Sequence, residues 1–77
     1  MNITYVTDEG GDWAGLYVDG KLVDQNHSLD VGMVFADLAR LGYNLEYSYF
    51  EIKETAWDSL GHLPEALDEI PEDAKCV

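Results

Sequence analysis

Carboxylates are the side chains of this sequence with the clearest chemical potential. Sixteen acidic residues stand against four basic ones in 77 residues, which gives a formal net charge of −12. Such a surface attracts basic groups and repels nucleic acid and anionic membranes, so we expect neither of the latter as a direct partner. The carboxylates cluster in a first loop, on a hairpin and in the tail: Asp8, Glu9 and Asp12; Asp19 and Asp24; Asp68, Glu69, Glu72 and Asp73.

Two interpretations of this acidity remain open. In the first, the acidic surface occupies the basic, nucleic-acid-binding face of another protein, such as a nuclease, a DNA-binding protein or a toxin, and acts as a nucleic-acid mimic. In the second, the charge serves solubility or a high-salt cytoplasm. Composition alone does not separate them.

Aromatic residues beside the carboxylates favour a protein interface. Tryptophan and tyrosine are good anchors because they combine a large apolar area with a polar group. The alternative is that the tail packs on these rings and makes them core. The sequence predicts a partner-binding surface on the first loop and hairpin, composed of Asp8, Glu9, Asp12, Trp13, Tyr17, Asp19 and Asp24.

Catalytic and metal-binding patterns do not emerge from the sequence. It has no Gly-rich phosphate loop, nucleophile elbow or Cys/His pairing at a recognisable spacing, so we expect no enzyme, no catalytic residues and no cofactor. A metal centre needs three or four convergent ligands, and His27 has only Asp24 and Asp30 nearby in the sequence. The first loop lacks the ligand spacing of a calcium loop. We therefore expect no metal site.

A hairpin is the clearest structural element behind these candidates. The runs 13–18 and 21–26 are joined by Asp19-Gly20, a pair that favours a type I′ turn because glycine accepts a positive φ. Such a turn fixes the register. It predicts three cross-strand pairs, which are Val18 with Lys21, Tyr17 with Leu22, and Leu16 with Val23.

The remaining elements follow from periodicity. Residues 3–6 alternate as a first strand, and residues 44–52 alternate as a last one. Between them, residues 29–41 predict the main helix, capped by Ser28 or Asp30 and ended by Gly42. Its apolar stripe is Val31, Val34, Phe35, Leu38 and Leu41. In the tail, residues 55–60 predict a short helix ending at Gly61, and Pro64 favours a second through residue 69. These turns are expected to cover the second sheet face.

Together these elements predict a single α+β domain over residues 1–77. The expected architecture is a small antiparallel sheet of three to four strands, with one main helix on one face and short C-terminal helical turns, in the order ββ(β)αβα. Residues 72–77 are predicted to fray. The single cysteine, Cys76, permits no internal disulfide and indicates a reducing cytoplasm. No apolar run reaches the roughly 20 residues of a membrane span.

The segment from Gly11 to Val23, Gly-Asp-Trp-Ala-Gly-Leu-Tyr-Val-Asp-Gly-Lys-Leu-Val, followed by Asn26-His27-Ser28-Leu29, resembles small acidic uncharacterised proteins of bacteria and bacteriophages. The resemblance covers about the first 30 residues and implies no established activity. It favours a phage- or bacterium-encoded inhibitor or adaptor, in parallel with acidic immunity proteins and antitoxins. The rival hypothesis is a structural or accessory domain that forms a homo-oligomer, such as a homodimer, through an apolar sheet face.

Overall fold

A four-stranded mixed sheet forms the centre of the fold. The computed structural model describes residues 1–29, 31–42 and 44–76, without the side chains of residues 31–33. The predicted α+β fold is confirmed. Its elements are strands β1 (Asn2–Asp8), β2 (Ala14–Val18), β3 (Lys21–Asn26) and β4 (Glu46–Ile52), helices α1 (Val31–Arg40) and α2 (Glu54–Leu60), and two 3₁₀ turns (Leu67–Glu69 and Glu72–Ala74).

The hairpin between β2 and β3 has the predicted turn. Asp19 and Gly20 have φ values of 51° and 83°, and positive φ at both central positions defines type I′. The pairs Val18–Lys21 and Tyr17–Leu22 are confirmed. The predicted pair of Leu16 with Val23 is wrong, because a bulge shifts the register and brings Asp24 opposite Leu16.

The sheet is mixed, whereas the sequence patterns suggested antiparallel pairing throughout. The strand order is β3-β2-β1-β4, with β4 running parallel to β1. Because β2 is antiparallel to both β1 and β3, strand β3 runs parallel to β1. Helix α1 then returns the chain to the end of the sheet at which β1 begins. A helical crossover of this kind joins parallel strands. Both β1 and β4 therefore begin at the end of the sheet that holds the hairpin turn.

Helix α1 covers its sheet face loosely. The sequence pattern predicts that its apolar stripe is core, but Val34 is 55% exposed and Leu41 is 75% exposed. Phe35 and Leu38 are half-buried. Gly42, at φ 93°, confirms the predicted left-handed helix end. Three predicted features lie outside the described residues. They are the candidate cap Asp30, the aromatic Tyr43 and the side chain of the stripe residue Val31.

The tail covers the opposite sheet face, as predicted, and forms the main core there. The buried members of this core are Val6, Tyr17, Ile52, Leu63, Ile70 and Ala74. Helix α2 confirms the first predicted tail helix and ends at Gly61, with φ 73°. The second predicted helix, from Pro64, is wrong because the backbone pairs with the hairpin instead. The Leu22 amide donates to the Glu65 carbonyl at 2.8 Å, so a short 3₁₀ turn forms only from Leu67 onward.

Residues 72–76 make ordered contacts where the sequence predicts fraying. Ala74 is buried, and its carbonyl accepts the Lys53 amide at 2.9 Å. The Cys76 amide donates to the Glu51 carbonyl at 2.7 Å. These bonds tie the tail to the outer edge of β4, a partner too distant in sequence for local patterns to reveal. Residue 77 lies outside the described residues.

Candidate protein-interaction surface

The acidic side chains remain largely at the surface. Of the sixteen, thirteen are exposed, Asp8 is buried, Glu51 is half-buried and Asp30 lies outside the described residues. Two ion pairs occur among the described residues, Arg40 with Asp37 and Lys75 with Glu72, and both join neighbours on one turn. The chain therefore neutralises little of its own negative charge.

One group of carboxylates lies at the hairpin end of the sheet; we call Asp19, Glu46 and Asp68 the turn-end patch. The Asp19 carboxylate accepts the Asn2 amide at 2.9 Å, and the Glu46 amide donates to the Met1 carbonyl at 2.9 Å. Asp19 and Glu46 therefore flank the first residues of β1. The Leu67 amide donates to the Gly20 carbonyl at 2.8 Å and brings Asp68 beside the same turn.

A shallow groove runs into the turn-end patch on the tail side of the sheet. Its lining combines polar and apolar residues, which are Asn2, Thr4, Asp19, Gly20, Glu46, Tyr47, Ser48 and Leu67. Within it, the Thr4 and Ser48 hydroxyls are 3.1 Å apart and hydrogen-bond to each other. Two carboxylates beside hydroxyl groups make this groove suited to a cationic side chain.

A second group, Glu9, Asp12 and Glu54, forms the loop-end patch at the opposite end of the sheet. Oxygens of Asp12 and Glu54 lie 3.4 and 3.2 Å from the position that a Cβ would take on Gly10. Strand β1 separates the two patches by about 20 Å, given its seven residues and the rise of an extended chain. Of the predicted surface residues, Glu9 and Asp12 thus lie at the end of the sheet opposite Asp19.

Glu9 is engaged within the fold. Its Oε1 accepts the Glu54 amide at 3.2 Å, and its Oε2 accepts the Cys76 thiol at 3.7 Å. Partial desolvation and the nearby carboxylates of Glu9 and Glu51 raise the pKa of this thiol above its ordinary value. The thiolate needed for nucleophilic chemistry is therefore disfavoured.

Two residues of the predicted surface lie inside the molecule. Tyr17 is fully buried and its hydroxyl donates to the Pro64 carbonyl at 2.6 Å. Burial, with a smaller contribution from the charge of Glu69, raises the pKa of Tyr17 to about 12. Asp8 is also buried, and its carboxylate accepts the Trp13 amide at 3.0 Å. Both side chains support the fold beneath the surface.

Trp13 and Asp24 lie towards the edge formed by β3. The Trp13 indole donates to the Gln25 side chain at 3.0 Å, and its half-buried ring meets the His27 ring edge-on at 4.9 Å between centroids. The exposed Asp24 carboxylate accepts the backbone amide of Gln25 at 2.9 Å. Neither residue is part of the turn-end or loop-end patch.

Strand β4 presents two tyrosines that the predicted site omits. Tyr49 is 50% exposed, its ring centroid lies 5.7 Å from that of Tyr5, and its hydroxyl is 3.0 Å from that of Thr7. Tyr47 is half-buried on the same face, and desolvation raises its pKa, with smaller contributions from Tyr5 and Tyr49. The alternation of residues 45–49 predicts the strand itself. The edge position of β4 follows from its pairing with β1, which the sequence pattern does not reveal.

The described residues include neither a metal-binding cluster nor a helix that could span a membrane. Among residues 1–29, 31–42 and 44–76, no group of three or more His, Cys, Asp or Glu side chains is arranged to hold a metal ion. None of the described helices is long and apolar enough to cross a membrane.

Comparisons with protein-family models, curated proteins and solved structures return no significant match to this chain.

Proposed function

We propose that this chain is a small acidic protein-binding module, a phage- or bacterium-encoded inhibitor or adaptor that docks on a basic, nucleic-acid-binding surface of a partner protein. The observation that carries the proposal is the set of thirteen exposed carboxylates, two of which pair with a basic side chain within the described residues. Concentrated charge of one sign steers a partner of opposite sign and fixes its orientation. The encounter takes place in a reducing cytoplasm, in keeping with the single cysteine.

The size of the molecule supports nucleic-acid mimicry. Its Cα extents are 37 × 23 × 21 Å. A DNA duplex of that length carries about 22 phosphate charges, at one per 1.7 Å. The net charge of −12, spread over the whole molecule, is about half of this number. The chain thus offers about half the charge of a duplex over a comparable length.

The turn-end patch is the best-supported docking position. The Glu46 and Asp68 carboxylates make no hydrogen bond to the described residues, so both remain available to a partner. Asp19 is held by its bond to Asn2, which limits the entropy lost when it binds. At the loop end both oxygens of Glu9 accept hydrogen bonds, whereas a single oxygen of Asp19 does so at the turn end.

The rival hypothesis, a homo-oligomer formed through an apolar sheet face, has weaker support. The tail covers one sheet face, and α1 lies against β1 and β4 on the other, so both faces are at least partly covered. Sedimentation of the purified protein at about 50 and about 500 mM NaCl separates the two hypotheses. A monomer at both salt concentrations is expected, and a stable dimer at low salt would favour the rival.

Partner capture tests the proposal itself. The immobilised protein is exposed to extract of its native host at low salt, and bound proteins are eluted with salt and identified by mass spectrometry. The purified partner is then titrated at about 50 and about 500 mM NaCl. We expect a basic partner whose affinity for the chain is at least about a hundredfold lower at the higher salt concentration than at the lower one. Duplex DNA should displace the chain from this partner. Salt-independent affinity for a partner that lacks a basic surface would contradict the proposal.

A further inference from the structure

Strand β4 lies at an edge of the sheet, and its backbone groups alternate in direction. The Glu46 amide donates to Met1 and the Ile52 carbonyl accepts from Glu9, so even-numbered positions face β1. The Lys53 amide and the Glu51 carbonyl instead bond to the tail on the outer side. Because direction alternates along a strand, the amides and carbonyls of positions 47 and 49 also point outward.

Among the described residues, no strand pairs with the outer side of residues 46–50. The tail pairs with β4 through the Ile52–Lys75 bridge, and within residues 1–29, 31–42 and 44–76 no backbone group bonds to the outer side of Tyr47 or Tyr49. An unpaired row of this kind is a template for another strand.

The opposite edge of the sheet is protected. Along β3, the Leu22 amide donates to the Glu65 carbonyl at 2.8 Å, and the Gln25 amide donates to the Asp24 side chain at 2.9 Å. Just beyond it, the His27 amide donates to the Asn26 side chain at 2.7 Å. A bulge also interrupts β3 after Leu22. An incoming strand would have to break these bonds, whereas no backbone group of the described residues makes such a bond to the outer side of Tyr47 or Tyr49.

The tail shows which side chains this edge accepts. Lys75, opposite Ile52 in an antiparallel bridge, places its ammonium 4.6 Å from the centroid of the Phe50 ring and 3.0 Å from a Glu72 oxygen. A cation held between an aromatic ring and a carboxylate is a favourable arrangement. Residues 46–50 also carry aromatic and acidic groups, but on opposite faces: Tyr47 and Tyr49 lie on the helix side and Glu46 on the tail side, so different basic side chains would contact them.

We propose that residues 46–50 of β4 accept a basic, extended segment of the partner protein as an additional strand of the sheet. The inference rests on the proposed function and specifies how the partner is held. Main-chain hydrogen bonds to Tyr47 and Tyr49 supply affinity, and alternate basic side chains reach the tyrosine rings and the groove beside Glu46. A second copy of this chain is a poor occupant because both copies carry a net charge of −12.

Peptide binding followed by amide hydrogen exchange tests the inference. The probe is a labelled peptide of about nine alternating Lys and Thr residues, long enough to span the open half-strand. The control is the same peptide N-methylated throughout its centre, which keeps the charge and removes the strand-pairing donors on both sides. With saturating unmodified peptide, the amides of Tyr47 and Tyr49 should exchange at least about tenfold more slowly. Those of Ser48 and Phe50, which face β1, should not change.

The two peptides distinguish strand addition from charge attraction. We expect the control to bind at least about tenfold more weakly and to leave Tyr47 and Tyr49 unprotected. Equal affinity for both peptides, unaltered exchange at saturation or no binding of either overturns the inference. If both peptides bind with equal affinity, the proposed salt-dependent docking on a basic partner still stands. Failure of the proposed function is recognised separately, from salt-independent binding of the captured partner.

A pair of variants at one position adds a second readout. Tyr49→Pro removes an outward amide that no described residue uses, and proline is tolerated at such edge positions. Tyr49→Phe keeps this amide and, like Tyr49→Pro, loses the contact between the Tyr49 hydroxyl and Thr7. Tyr49→Pro should weaken peptide binding at least about tenfold, and Tyr49→Phe less than about threefold. Unchanged binding by a folded Tyr49→Pro protein overturns the inference; if that variant does not fold, the exchange measurement on the natural chain decides.

Discussion

The two faces of the sheet are covered in different ways. The helix side carries the regular, amphipathic element, yet no described side chain of α1 is buried, and Leu41 is 75% exposed. The tail side carries a short helix and irregular turns, yet Ile52, Leu63 and Ile70 are almost fully buried there. Regular periodicity therefore identifies a helix without showing how deeply it packs. The core cluster of Val6, Tyr17, Ile52, Leu63, Ile70 and Ala74 lies under the tail, while Ile3 and Leu16 are buried on the helix side.

The comparison also explains where a partner can bind. The surfaces proposed for recognition are the two ends of the sheet and residues 46–50 of β4. Six of the thirteen exposed acidic groups form the patches at these ends. The proposal therefore assigns recognition and stability to different residues.

The largest effect is expected from one substitution placed on each side of the sheet. Leu63→Ala should lower the free energy of unfolding by about 2–5 kcal/mol, because it leaves a cavity in the tail-side core. Leu41→Ala removes the same atoms from the exposed helix side and should cost less than about 0.5 kcal/mol. Denaturant unfolding measures both. Equal losses would mean that the helix side contributes as much core as the tail side.

Cutting the chain after Ile70 should have the next largest effect. The cut removes buried Ala74 and both backbone bonds to β4, and we expect a loss of about 2 kcal/mol. The double variant Glu72→Gln and Asp73→Asn, which removes two charges and keeps those bonds, is the control and should unfold as the natural chain does. If the cut protein is as stable as the control, residues 71–77 contribute charge alone.

A smaller effect is expected from Tyr17→Phe, which removes the hydrogen bond to Pro64. The buried carbonyl loses its partner, and about 1–2 kcal/mol should be lost near pH 7. The raised pKa of Tyr17 adds a pH dependence. Because the folded pKa of about 12 exceeds the ordinary 10.0, the stability linked to this hydroxyl is fully present below pH 10 and falls as the pH rises through 12.

Unfolding measured at about pH 7 and about pH 11 checks that sign. The difference in stability between the natural protein and Tyr17→Phe should shrink at the higher pH, since only the natural protein must ionise a buried phenol at this position. A difference that grows with pH would contradict the burial of this residue.

Local signals in the sequence identified much of the fold. Asp19-Gly20 fixed a type I′ turn and the first two cross-strand pairs, and Gly42 and Gly61 marked helix ends, because these features depend on adjacent residues. The parallel pairing of β4, the bulge opposite Leu16 and the docking of residues 72–76 depend on contacts distant in sequence. Periodicity carries no information about those contacts.

The candidate surface was predicted less completely. Exposed carboxylates such as Asp12 and Asp19 could be named from charge alone, but their separation by the length of β1 could not. Tyr17 looked like an interface anchor because its residue type suits interfaces as well as cores. The open edge at Tyr47 and Tyr49 emerges only when the strand order is known.

Two charge-matched double reversals give the most direct test of docking at the turn end. Glu46→Lys with Asp68→Lys changes the turn-end patch, and Asp12→Lys with Glu54→Lys changes the loop-end patch. Each pair adds four charges, from −12 to −8. At about 150 mM NaCl, the turn-end variant should bind the captured partner at least about a hundredfold more weakly, and the loop-end variant less than about tenfold. Both must first match the natural chain in unfolding temperature. Equal losses would mean that net charge alone is recognised, and a loss confined to the loop-end variant would place docking at the opposite end; either result would contradict the account.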